Sequence, residues 1–367
     1  SQLNNLKSDD SVVAGFSYGY DNGGNRTSVV ENSGDRVTWG YDSANQLTSE
    51  DRSGVNVYEH SFSYDPVGNR LTKTEDGAIT TSTYDASNQL QNSVDDSGTT
   101  NYTFDANGNQ ELVETPSGAK TTSTWNYENE ATLVEPPTGT AEAMSYNADS
   151  RRTNLVGDAT QEFLWDITND NVVEETDDAG ATVAIYTGGP DLYGSVISQA
   201  RGGVDSFYQF NGQGSTIALT DDSQTVTDTA AYTAFGEVLA SSGSTVNPWG
   251  YKGGLGYYSG GIDGLYVRAR WLATSLGRWL SQDPIGFVDG VNGYRQVRNS
   301  PSMYADPSGL RGCKPPNGPE PRYVPGRGSW VPGWPVSGYP LAVPQKGFAT
   351  SSNALTPMYF SARWKPD

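Results

Sequence analysis

Residues 64–73 read "YDPVGNRLTK": an aromatic, an aspartate, a short stretch carrying Pro, Gly and Asn, and then the start of an alternating run. Asp side chains bond the amides of their own turn, and Gly and Asn accept positive φ, so Tyr64 to Asn69 reads as a strand end followed by a tight turn. The alternating Leu71-Thr72-Lys73-Thr74 then opens the next strand.

The unit recurs. "YDNGGNRTSV" starts at Tyr20, "YDSANQLTSE" at Tyr41, "YDASNQLQNS" at Tyr84 and "FDANGNQELV" at Phe104, with weaker copies at Trp125 ("WNYENEATLV"), Tyr146 ("YNADSRRTNL") and Trp165 ("WDITNDNVVE"). Including Tyr64, successive anchors are 21, 23, 20, 20, 21, 21 and 19 residues apart, a regularity that marks a repeat architecture. Roughly 20 residues hold two strands and two turns, so each repeat is one hairpin. A lone hairpin cannot bury its face, and the repeats must therefore stack into a continuous sheet. This predicts an almost wholly antiparallel β chain with little helix, its anchors at equivalent positions on neighbouring hairpins.

Composition agrees and excludes several function classes. The 367 residues include 43 Gly and 22 Tyr but are only 35% hydrophobic, a turn-and-strand composition. A net charge of −20 argues against nucleic acid as a partner, because phosphate binding needs a basic footprint. The single cysteine, Cys313, excludes an intrachain disulfide framework. No signal peptide and no apolar run long enough to span a membrane is expected. The chain starts at Ser1, already in repeat-like sequence, and is expected to be a processed product or a C-terminal piece of a longer protein.

Charge is divided unevenly. Through Leu310 there are 16 basic and 41 acidic side chains; the last 57 residues hold seven basic, two acidic and eleven of the twenty prolines. The break falls in "ADPSGLRGCK", residues 305–314. Upstream lies a second Asp-Pro turn, Asp283-Pro284-Ile285-Gly286, matching Asp306-Pro307-Ser308-Gly309; both suit type I turns. Two carboxylates brought together can share a proton, one activating water while the other protonates a leaving group. His60, the only histidine, sits in a repeat strand and is expected to be an exposed strand residue, a reading that excludes most Ser-His and Cys-His triads and His-built zinc sites. "DANGNQ" (Asp105 to Gln110) has residue types that suit calcium, but its spacing departs from a calcium loop, and turn chemistry is the expectation. No cofactor and no metal is expected.

The Tyr-Asp unit resembles the YD (RHS) repeat of bacterial toxin shells, Tc-toxin C subunits and teneurins. "YQFNGQGSTIALTDDSQTVTDTAAYTAFGEVL" (208–239) resembles their linker, and "GLYVRARWLATSLGRWLSQDPIGFVDGVNGYRQVRNSPSMYADPSGL" (264–310) their RHS-associated core domain. The resemblance covers about Phe16 to Leu310 and stops before the final 57 residues. It implies a β-sheet spiral around a hollow, plugged at one end by an inward-turning core domain that cuts the chain once after Leu310. It also implies that Arg270, Asp283 and Asp306 carry the chemistry on the Leu310–Arg311 bond; Arg268 and Arg278 are weaker candidates for the arginine's role. The expected divisions are a repeat shell over 1–200, linker and core over 201–310, and a Pro-rich basic tail over 311–367. Two readings of function follow: a secreted or cell-surface toxin-delivery shell retaining or releasing its own C-terminal segment, and an extracellular fibre of identical subunits docked by the tail. Adhesion through exposed Tyr and Trp is a third. For the tail, Trp330, Trp334, Tyr339 and Tyr359 are the expected apolar anchors on the acidic shell.

Overall fold

The computed structural model describes residues 1–190, 192–193, 195–260 and 264–313. The expected contacts of Trp330, Trp334, Tyr339 and Tyr359 lie outside the described residues, as does most of the tail. Twenty-three strands, from Gln2–Leu6 to Val238–Ser242, form one sheet, each paired antiparallel with the next in sequence. Among the described residues there is no α-helix, only three short 3-10 turns. The fold is all-β, a meander of stacked hairpins.

The anchors share one local design. Tyr20, Tyr41, Tyr64, Tyr84, Phe104, Trp125, Tyr146 and Trp165 each sit at a register shift in their hairpin, and the turn follows at once. In the turn, Oδ1 of Asp65 accepts from Val67 N at 3.0 Å and Asn69 N at 2.8 Å, and Asp42, Asp85 and Asp105 accept the equivalent pair. These carboxylates are occupied by their own backbone, and the one aspartate of "DANGNQ", Asp105, is thereby engaged in turn bonding. Residue four of the turn has positive φ, as Gly24, Asn45, Gly68, Asn88, Gly108 and Asn129 show. This is the conformation for which Gly and Asn are chosen.

What joins one hairpin to the next is the polar tip of the anchor. Tyr41, Tyr64 and Tyr84 donate their hydroxyls to the carbonyls of Arg26, Leu47 and Arg70, at 2.6, 2.8 and 2.8 Å. The Tyr146 hydroxyl donates to Ala131 O at 2.9 Å, and the indole Nε1–H groups of Trp125 and Trp165 donate to Gln110 O and Arg152 O at 2.9 and 2.8 Å. Each acceptor lies at the start of the second strand of the preceding repeat, so the anchors stand in register. Between alternate turns an amide staple is added: Asn25 to Asn45, Asn69 to Asn88 and Asn109 to Asn129, at 2.8–2.9 Å.

The sheet runs on through residue 200 without a break, with further bulged anchors at Phe210 and Tyr232. It then folds back on itself. Tyr18 accepts from Gly212 N at 2.7 Å, Lys73 pairs with Glu237 at 2.7 Å, and Glu50 accepts from Ala234 N at 2.9 Å. Phe16, Val37, Trp39, Phe62, Ala234 and Phe235 form a shared apolar cluster across that closure. Inside the curl lies the segment after Ser242, with a small sheet of Tyr258–Ser259, Leu265–Val267, Arg270–Ala273 and Arg278–Trp279. Its Trp249, Tyr258, Tyr266 and Trp271 pack onto Val134, Met144, Phe163 and Tyr186 of the shell. Arg152, 1% exposed, is caged there by the rings of Phe163, Tyr258 and Tyr266 at 4.6–4.8 Å. Much of the interior is thus filled by the chain's own core segment. The space left between the first strands and 211–240 is about 300 Å³, with Phe16, Trp39 and Tyr232 among its walls.

One expectation is corrected. His60 is buried, not exposed, because strand alternation puts Tyr58, His60 and Phe62 on the inward face. It lies against the Tyr58 ring at 4.4 Å, and burial lowers its pKa.

Candidate functional site

The core sheet places Arg270 at the start of its strand, opposite Val267, with its guanidinium over the Trp279 ring at 4.3 Å. Both Asp-Pro segments are hydrogen-bonded turns: Gly286 N donates to Asp283 O at 2.9 Å and Gly309 N to Asp306 O at 3.2 Å. They converge on the arginine from two sides. Its Nη2 lies 3.1 Å from Asp283 Oδ2 and 3.3 Å from Asp306 Oδ2. Nη1 donates to Gly293 O at 3.1 Å, and Nε donates to Gly309 O. The guanidinium therefore joins the two carboxylates and also grips the turn carrying the second.

Asp306 is 2% exposed and faces the bond after Leu310. Its Oδ1 accepts from Leu310 N at 3.0 Å, Arg311 N at 2.9 Å and Ser308 Oγ at 2.9 Å. Burial pushes its carboxyl above the usual range, with Arg270, the Ser308 hydroxyl and the two amides opposing that shift. Asp306 N is held by the buried Tyr257 hydroxyl at 2.8 Å. Beyond the turn, Ala305 and Cys313 exchange backbone bonds at 2.7 and 2.6 Å, which closes a tight loop around Leu310 and Arg311.

Gly309 makes the loop possible. Its φ is +70°, and a Cβ there would collide with Val267 O and reach 3.0 Å from Arg270 N. The chain can fold back over Asp306 only because that side chain is missing.

The structure thus brings Arg270, Asp283, Asp306, Leu310 and Arg311 together. Arg268 and Arg278 lie apart from the carboxylates. Arg268 donates to Pro307 O at 2.6 Å and to Asp170 O at 2.7 Å, and Arg278 lies between the Tyr84 and Tyr294 rings, 4.9 Å from each. Both buttress the core segment against the repeats. Sequence reasoning passed over Tyr257 and Lys252, which approach Asp306 and the segment leading into it from "GYKGGLGYY", far upstream. Among the described residues no group of three or more His, Cys, Asp and Glu side chains could hold a metal, and no helix is long and apolar enough to cross a membrane.

No family model matches the chain. It is 30% identical over 280 residues to the tRNA3(Ser)-specific nuclease WapA of Bacillus spizizenii, a match covering 73% of this chain and 12% of that protein. Over 45 residues, 12% of this chain and 5% of the relative, it is 51% identical to the toxin subunit YenC2 of Yersinia entomophaga. Among solved structures, a TcdB2–TccC3 complex with Cdc42 aligns at 17% identity and a TM-score of 0.43, covering 84% of this chain and 20% of that one. The chain is thus similar over most of its length to a bacterial nuclease and over a short stretch to a bacterial toxin subunit, and it spans about an eighth of the length of the WapA relative.

Proposed function

We propose that this chain is part of a toxin-delivery shell, and that its core segment cuts the backbone once, between Leu310 and Arg311, to separate a C-terminal segment from the shell. The observation that carries this reading is Asp306 Oδ1, 2.9 Å from the amide nitrogen of Arg311, with Asp283 held beside it through Arg270. Protonated Asp306 is the acid and ionised Asp283 the base. Water attacks the Leu310 carbonyl carbon and gives a proton to Asp283; the tetrahedral carbon leaves the Arg311 nitrogen with a free lone pair, and Asp306, which accepts that nitrogen's N–H before attack, turns its carboxyl proton onto it as the C–N bond breaks. The remaining hydroxyl proton passes to the amine, so the products are a Leu310 carboxylate and an Arg311 ammonium. Arg270 keeps one carboxylate ionised next to its protonated neighbour; its Nε bonds Gly309 O, so positioning the turn is its second task.

Separation does not require dissociation. The region through Leu310 carries a formal charge of −25 and the rest +5, so the released segment is attracted back to the shell. Action at the cell exterior follows from the delivery role and belongs to the same proposal.

The test is the cut itself. Asp283→Asn and Asp306→Asn should each leave one uncut band on a denaturing gel while the β-rich circular dichroism spectrum is retained. If both variants are cut as the wild type is, the paired-carboxylate mechanism is wrong.

A further inference from the structure

Lys252 is 0% exposed, and among the described residues its ammonium makes no ion pair with a carboxylate. Nζ donates instead to two main-chain carbonyls, Pro301 O at 3.0 Å and Tyr304 O at 2.5 Å. A second buried cation works beside it: Arg26, 4% exposed, donates to Ser302 O at 3.1 Å and Gly212 O at 2.5 Å. Tyr41 adds a hydroxyl contact to Ser302 Oγ at 2.7 Å. Three carbonyls in four residues, 301 to 304, are thus held by two cations. Asp306 follows two residues later.

Burying an ammonium is costly, and a neutral donor would satisfy the same carbonyls more cheaply. The charge therefore calls for a use, and its position suggests one. The groups acting on Lys252 are the Asp306 carboxyl and the Cys313 thiol on the strand pair that frames the cut, Arg26 on the first repeat, and the Tyr251 ring, 5.2 Å from Nζ. Arg270 touches Asp306 from the other side.

We infer that Lys252 is a positioning residue for the proposed self-cleavage: it pins the 301–304 carbonyls so that Asp306 meets the Arg311 nitrogen, and its charge tunes the Asp306 carboxyl. The inference rests on the cleavage reading above. Burial brings the Lys252 ammonium down to about 7, so the clamp carries its charge below neutral pH. In that range, removing the charge takes one cation away from Asp306, which then keeps its proton to higher pH.

The experiment uses the full 367-residue chain made by cell-free synthesis with a radioactive pulse, chased in buffers from pH 5 to 9. Appearance of the C-terminal fragment is followed as a first-order rate. Lys252→Met is expected to slow the cut about 10- to 100-fold, the loss typical of a misplaced catalytic group, and to move the alkaline limb of the profile to higher pH. Lys252→Gln, which keeps a donor without the charge, should show the same shifted limb with a smaller loss, and Lys252→Arg should return the wild-type limb. Lys252→Gln also decides the matter if Lys252→Met does not fold. A folded Lys252→Gln or Lys252→Met chain that cuts at the wild-type rate with an unmoved profile overturns the inference. Asp306→Asn runs alongside: if it still cuts, the cleavage reading itself has failed, whereas an inert Asp306→Asn beside an unaffected Lys252 series removes only the role of Lys252.

Discussion

Gly309 is the residue at which backbone conformation and proposed chemistry meet. Its positive φ turns Leu310 and Arg311 back so that both amides reach the same carboxylate oxygen. Gly309→Ala introduces left-handed strain and a collision with Val267 O. The expected result is a chain that keeps its sheet but cuts at least about 10-fold more slowly, since the scissile amide moves off Asp306; a wild-type rate would show that the close approach is dispensable. Glu50 offers a second test at this scale. It is 2% exposed, accepts from Ala234 N at 2.9 Å and Trp39 Nε1 at 3.2 Å, and burial raises its carboxyl from 4.5 to about 7. Between those values the folded chain holds a proton that the unfolded chain has released. Stability from this group therefore falls as pH rises across that window, with a slope of at most about 1.4 kcal/mol per pH step of one. Glu50→Gln should lose that part of the pH dependence, narrowing the difference in unfolding free energy between pH 5 and pH 8 by a few kcal/mol. An unchanged difference in denaturant titrations would mean that Glu50 ionises freely.

At the scale of the element, the hairpin depends on the anchor's tip as well as its ring. Tyr64→Phe keeps the ring but strips the Leu47 carbonyl of its donor, at an expected cost of about 1–2 kcal/mol. Phe104 already lacks such a tip and instead meets the Tyr294 ring edge-on at 5.6 Å. Phe104→Leu should therefore be felt through packing against the core, whereas Tyr64→Phe should be felt between repeats. Urea unfolding of both variants checks this, and a neutral Tyr64→Phe would mean that the bond from Tyr64 to Leu47 O carries no net stability. The repeat was legible in the sequence because its turn is local: Asp, Gly and Asn at fixed offsets need no knowledge of the rest of the chain. The anchor-tip bond was not legible, because donor and acceptor lie 13 to 17 residues apart and meet only after stacking. Phe210 and Tyr232 continue the pattern, their turns opening on Asn211 and Thr233, but they fall within the stretch read from the sequence as linker. For His60, alternation with Tyr58 and Phe62 was the available signal. At the site, the Asp-Pro pair stood out as a motif, whereas Lys252 and Tyr257 reach it only through tertiary contacts.

At the scale of the whole molecule, the sheet curls until early and late repeats touch, and the core segment fills much of the space it encloses. The edge strands Gln2–Leu6 and Val238–Ser242 each pair with a single neighbour among the described residues. The proposal makes residues 1–310 a self-sufficient shell piece. Expressed without residues 311–367, the chain should fold to the same β-sheet and stay monodisperse in size-exclusion chromatography; a polymer that requires the tail would favour the fibre reading instead. In the cut wild type, attraction between a −25 shell and a +5 segment should weaken with salt, as the Debye length falls from about 10 Å at 0.1 M to about 3 Å at 1 M. Co-elution at low salt and separation near 1 M is the expected pattern, and co-elution unaffected by salt would show that charge is not what holds the pieces together. All of this depends on where the chain divides, and the intact mass of the purified wild-type protein in denaturant reads that directly. The account predicts two polypeptides, one ending at Leu310 and one beginning at Arg311; a single species at 39.4 kDa, or a division at any other bond, would contradict it.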